Sequence, residues 1–141
     1  MVQLIVGKKG KGKTKHLLDK VNTEVQNASG NIVYLDKSTK HMYELNNKIR
    51  LIDVSSYLVQ NSEQFIGFIC GIISQDHDLE QMYFDSFLQI ACLEENGEDI
   101  EKTISELETI SEKFSVDFCI SIGLDQEELP ESLKKKVIVS L

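Results

Sequence analysis

Arginine occurs once, at position 50, tryptophan is absent, and proline appears once in 141 residues. A single arginine excludes the arginine-rich lid with which many small-molecule kinases close over phosphates. One Pro and eight Gly, with 41% hydrophobic and 27% charged residues, exclude collagen-like and disordered chains. No apolar run approaches the roughly 18 to 20 residues of a membrane span, and lysine is reached at position 8, so neither anchor nor signal peptide is expected and the expected location is cytoplasmic. Three cysteines, Cys70, Cys92 and Cys119, form no C-x-x-C pair and no closed disulfide framework; they are expected as buried thiols. His16, His41 and His77 are scattered, and Asp76-His77-Asp78 reads as a solvated loop, because three consecutive side chains cannot all face one ion. What remains is the profile of one folded domain, residues 1–141, long enough to bury a core.

The charge is unevenly spread. The net value is −8, yet residues 1–50 hold ten Lys or Arg against four Asp or Glu, giving +6, and residues 51–141 hold five against nineteen, giving −14. A basic head on an acidic body points to a local site for a small anion and argues against nucleic acid, which needs a broad basic stripe.

The reason for the basic head lies at the N-terminus. The apolar run Val2-Gln3-Leu4-Ile5-Val6 leads into Gly7-Lys8-Lys9-Gly10-Lys11-Gly12-Lys13-Thr14, a complete G-x-x-x-x-G-K-T. A loop that wraps phosphates turns successive backbone N–H groups inward, which requires angles that glycine adopts cheaply, and Gly7, Gly10 and Gly12 are spaced to supply them. Lys13 is placed to reach the β- and γ-phosphates, Thr14 to offer its hydroxyl to Mg²⁺, and a following helix to add its positive end. Leu17, Leu18, Val21 and Val25 recur at helical spacing, so a helix of about three turns is expected there. Lys8, Lys9, Lys11 and Lys15 add charge beyond the motif and are further candidates for gripping a triphosphate.

On residues 7–14 the sequence resembles the P-loop NTPase superfamily, matching its Walker A motif at every defining position. The resemblance implies a three-layer α/β/α sandwich on a mainly parallel sheet, with ATP and Mg²⁺ as cofactors.

The remaining pattern agrees with an α/β chain. Ile32 to Leu35 reads as a buried strand ending at Asp36, and residues 38–48 as polar helix or loop. Ile49 to Val54 is a short apolar run, and a helix starting near Asn61 or Ser62 carries Phe65, Ile66, Phe68, Ile69, Ile72 and Ile73. Gln81 to Asp85 is a strand, followed by a short helix through Phe87, Leu88 and Ala91 and a turn at Glu95-Asn96-Gly97. Ile100, Ile104, Leu107 and Ile110 stripe the next helix, and Val116 to Ser121 forms another strand. A short helix near Glu131 to Lys135 and a last strand, Val137 to Val139, complete five main parallel strands. Lys134-Lys135-Lys136 is read as complementing the negative end of that short helix. If residues 81–85 carry the Walker B acid, the resemblance is to the RecA-like branch, with sheet order 5-1-4-3-2 and a polar sensor at the fourth strand's end, where Ser121 stands.

Walker B chemistry needs a carboxylate at a strand's C-terminal end, holding a Mg²⁺-bound water near Thr14. Asp36, Asp53 and Asp85 each end an apolar run; Asp85 is favoured by Met82-Tyr83-Phe84 before it, and all three also fit strand-terminal turns or caps. The resembled branch usually places a glutamate next, whereas this chain has Ser86, which weakens the case for hydrolysis. Arg50, inside the short run, reads as an edge-strand surface charge rather than an arginine finger. Guanine recognition is not supported, since Asn47-Lys48 lacks the following aspartate of N-K-x-D.

Three functions are therefore open. The first is a Mg·ATP-binding ATPase using Lys13 and Asp85. The second is a nucleotide-dependent transferase, because Gly10-Lys11-Gly12-Lys13-Thr14 resembles the loop of ATP:corrinoid adenosyltransferases, or a small-molecule kinase. The third is a non-hydrolysing switch in which nucleotide orders segment 37–48 to engage a protein partner or a second copy.

Overall fold

The computed structural model describes residues 1–94 and 98–141; the turn expected at Glu95-Asn96-Gly97 lies outside them. Six strands form one parallel sheet: β1 (Val2–Val6), β2 (Asn31–Asp36), β3 (Ile49–Asp53), β4 (Leu79–Phe84), β5 (Asp117–Ile122) and β6 (Val137–Ser140), in the order β3-β2-β4-β5-β1-β6. Among the described residues the sheet therefore has six strands and not five. The added strand is β3, the short apolar run, which pairs with β2 from Ile32↔Ile49 to Asp36↔Asp53 and occupies an edge. Its burial is partial, with Ile49 buried, Arg50 exposed and Leu51 to Asp53 intermediate, which is why its pattern is weaker than that of the central strands. The other five strands keep the order that the RecA-like resemblance implies.

Alternation along the strands divides the apolar side chains between two cores. Val33 and Leu35 of β2, Met82 and Phe84 of β4, and Phe118, Ile120 and Ile122 of β5 join one core, with Phe65 and Ile69 of α2 (Ser62–Ser74) and Ile104 and Leu107 of α4 (Glu98–Phe114). Ile32, Tyr34, Tyr83 and Cys119 point the other way and pack on Leu17, Leu18 and Val21 of α1 (Lys13–Glu24). Phe84 stands at the centre of the larger core, with Phe65, Phe87 and Phe118 at ring-centroid distances of 5.9, 6.2 and 5.3 Å. Asn61 caps α2 by accepting from the Gln64 N–H at 2.8 Å. The two short helices, α3 (Phe87–Ile90) and α5 (Glu131–Lys134), bury Phe87, Ile90 and Leu133.

The cysteines are all free, but they are not all buried: Cys119 is buried, Cys70 is half-buried and Cys92 is exposed. Burial pushes the Cys119 thiol up to about 12, so it is unreactive at neutral pH. Among the described residues no helix is long and apolar enough to cross a membrane.

Because every pair in the sheet is parallel, all strand C-termini reach the same edge, where ligands of open α/β sheets bind. The glycine loop leaves β1 there, and Asp36, Asp85 and Ser121 lie at or beside the ends of β2, β4 and β5.

Candidate functional site

The loop between β1 and α1 runs through two left-handed glycines, Gly10 at φ 85° and Gly12 at φ 94°. Open space lies beside both, so it is the backbone conformation, and not crowding, that favours glycine. Gly12 is also the N-cap of α1 and offers no side chain to the first helical N–H groups, leaving those donors available to an anion. Lys13 donates from Nζ to the Lys8 carbonyl at 3.2 Å. Partial burial lowers the Lys13 ammonium below its ordinary range, while the charge of Asp85 opposes the shift.

Asp85 is buried and joins four elements. Its Oδ1 accepts from Thr14 Oγ1 at 3.2 Å, from Ser121 Oγ at 3.1 Å and from the Ser86 N–H at 2.9 Å. Its Oδ2 accepts from the Tyr34 hydroxyl at 2.8 Å. Burial first, and the neighbouring Asp85 charge second, drive the phenol of Tyr34 far above its ordinary range, so it keeps its proton to donate to Asp85. Ser86, which stands where a glutamate is expected, sits at φ 54° and N-caps α3; its N–H also donates to Ser121 Oγ at 3.1 Å.

Next to this hub, Asp36 is 2% exposed, and its Oδ1 accepts the Lys37 N–H at 2.7 Å. Its Oδ2 is buried and finds no hydrogen-bond partner among the described residues. Burial, followed by the Asp85 charge, raises the Asp36 carboxyl to about 6. His41, five residues on, turns back toward the same place, so that one ligand atom each from Asp36, His41 and Asp85 lie within 4.8 Å of one another. The Glu44 carboxylate holds His41 Nδ1 at 3.1 Å.

Asp36, His41, Asp85, Ser86 and Ser121 line a cleft of about 630 Å³, within the range of small-molecule sites. Of the residues singled out from the sequence, Lys9, Gly10, Gly12, Lys13, Thr14, Asp36, Asp85 and Ser121 border it. Gly7 starts the loop with its N–H donated to the Ile122 carbonyl at 3.3 Å. Lys8 instead pairs with Glu128 at 2.6 Å, Lys11 is exposed, and Lys15 borders a smaller neighbouring hollow. Asp53 closes a local turn, accepting from the Ser55 N–H and hydroxyl and from Ser56, and does not border the cleft. Arg50 reaches Asp76 at 3.4 Å on the edge of the sheet. Asp76 also accepts from Asn31 and the Asp78 N–H, so Asp76-His77-Asp78 is a strand-entry loop. The lysines at 134 and 136 pair with Glu131 and Glu108.

Two residues of the site are not conspicuous in the sequence. Tyr34 carries a signal, since a phenol inside an aliphatic buried strand needs a hydrogen-bond partner. His41 carries none, because only the path of the chain between β2 and β3 brings it back to Asp36.

The sequence matches no family model and no curated protein. Among solved structures, it is similar in fold to the flagellar accessory protein FlaH from Methanocaldococcus jannaschii, with a TM-score of 0.56 and 14% identity over 95% of this chain and 65% of that one. The chain thus spans just under two thirds of that protein, and what the two share is an α/β fold with a parallel sheet, consistent with the RecA-like type.

Proposed function

We propose that the chain binds Mg·ATP in this cleft as a small cytoplasmic RecA-like P-loop protein of three-layer α/β/α architecture, with slow ATPase activity. The observation that carries the reading is the meeting of Thr14 with Asp85 at 3.2 Å, directly after a glycine loop that ends in Lys13. The hydroxyl of Thr14 and the carboxylate of Asp85 are hard oxygen donors, the set that suits Mg²⁺. Bound there, the ion would neutralise charge on the transferred phosphoryl group. In this reading Lys13 would bind the β- and γ-phosphates, and the N–H groups at the start of α1, which no side chain caps, would bind phosphate oxygens. Ser121 and Tyr34 fix the rotation of Asp85, each by one hydrogen bond.

Hydrolysis is slow in this reading because Ser86 has no carboxylate with which to orient water, and Arg50 is held at the sheet edge by Asp76. The same observation favours a second reading, a nucleotide-controlled switch. Segment 37–48 borders the cleft and exposes Tyr43 almost fully, a surface for a protein partner or a second copy. The test is calorimetry with Mg·ATP together with phosphate release, on wild type, Lys13→Ala and Asp85→Asn. Binding and phosphate release that both disappear in Lys13→Ala support the ATPase; binding without turnover supports the switch. With an acceptor added, ADP formed without free phosphate would replace both with a kinase, and consumption of ATP with release of inorganic triphosphate would replace both with an adenosyltransferase. No binding of ATP or GTP to wild type would sink the reading altogether.

A further inference from the structure

Two buried carboxylates, one of them with an orphaned oxygen, and one imidazole meet on one wall of the cleft. We propose that Asp36, His41 and Asp85 form a site for one divalent transition-metal ion, of the Zn²⁺ or Mn²⁺ class, that fills without nucleotide. The site shares Asp85 with the Mg²⁺ reading but does not depend on a phosphate, since its ligands come from the end of β2, the turn that follows and the end of β4.

The spacing is close to what a metal needs. The three ligand atoms lie within 4.8 Å of one another, whereas ligands of a common ion sit roughly 3 to 4 Å apart. A small side-chain rotation of His41 would close the difference, and its side chain, 22% exposed, has open space on one side. Asp36 supplies an independent reason. Its Oδ2 is buried with no partner among the described residues, beside a second buried carboxylate, and such an oxygen is costly unless a cation or donor meets it. A metal ion would satisfy it directly.

The donor set decides the class of ion. Magnesium and calcium take oxygen ligands, whereas an imidazole among carboxylates favours manganese, iron, cobalt or zinc. His41 is also held as metal-binding histidines are held. Its Nδ1 meets the Glu44 carboxylate at 3.1 Å, which orients the ring and leaves Nε2 as the nitrogen available to ligate. Three protein ligands leave further coordination positions toward the cleft for water or an anionic ligand.

The experiment titrates chelator-stripped, nucleotide-free protein with Zn²⁺ by calorimetry and with Co²⁺ by visible absorption. One ion per chain is expected, retained in a millimolar excess of Mg²⁺. His41→Ala, on the surface turn, is expected to weaken binding at least tenfold and to abolish the Co²⁺ bands, with Asp36→Asn acting alike and Glu44→Gln weakening it less. No binding by wild type, or Zn²⁺ affinity unchanged in His41→Ala, overturns the proposal. ATP binding is measured separately with Mg²⁺ alone: a wild type that binds Zn²⁺ but no ATP overturns only the nucleotide reading, and one that binds ATP but no Zn²⁺ overturns only the metal site.

Discussion

At the residue scale, the cleft is organised by two aspartates with opposite surroundings. Asp85 accepts four hydrogen bonds, while Asp36 keeps one buried oxygen bare. Tyr34→Phe removes one of the four donors with little change of shape. A bond to a charged acceptor contributes roughly 1.5–3 kcal/mol, so urea denaturation should show a loss of that order, and calorimetry a weaker dependence of ATP binding on Mg²⁺. Asp36 gives a pH signature. Its folded-state value of about 6 lies above the ordinary 3.8, so between those values the folded chain binds more protons than the unfolded one, and stability falls as pH rises through that window. Asp36→Asn removes the penalty. In metal-free buffer, its melting temperature should exceed that of wild type at pH 8 and approach it near pH 4; an equal gap at both pH values would show that burial of this charge is not its cause.

At the element scale, the strand-loop-helix at residues 2–24 was legible because its signals agree: an apolar run, glycines where φ is positive, and Leu17, Leu18 and Val21 on one helical face. The central strands were legible for the same reason, each being apolar on both faces. Edge strand β3 was only half legible, because one of its faces is open and Arg50 interrupts the run. The meeting of Thr14, Asp85 and Ser121 follows from parallel strands ending on one edge, whereas the return of His41 depends on a turn between β2 and β3 that hydrophobic periodicity does not encode. The opposite edge of the sheet tests how far the cleft is insulated from the rest. At Gly30, before β2, an added Cβ would overlap the Asp78 carbonyl oxygen, a backbone atom, and crowd the Glu80 side chain that accepts the Gly30 N–H at 2.8 Å. Overpacking of this kind costs about 1–3 kcal/mol. Gly30→Ala should therefore lower the denaturation midpoint while leaving the ATP dissociation constant unchanged, because the strand separates Gly30 from Asp36.

At the scale of the whole molecule, the distribution of charge bears on which anion the proposed site would admit. The chain carries −8 overall, yet Lys9, Lys13, Lys37 and Lys40 border the cleft, beside Asp36, Asp85 and Glu94, so a local group of cations sits at one opening of an acidic chain. Four further lysines pair with carboxylates where they stand: Lys8 with Glu128, Lys20 with Glu24, Lys134 with Glu131 and Lys136 with Glu108. A compact anion can place all its charge inside the opening. A long polyanion must lay the rest of its backbone along a surface of its own sign, and it gains counterion release only over the few phosphates that enter. Length of the anion should then weaken binding where a basic stripe would strengthen it. Competition against a fluorescent ATP analogue at low salt measures this: ATP and inorganic triphosphate are expected to displace the probe, and a single-stranded DNA of some thirty nucleotides is expected to fail at equal phosphate concentration. Displacement by the DNA at or below the concentration of ATP would mean that the acidic face does not govern access, and would reopen nucleic acid as a partner.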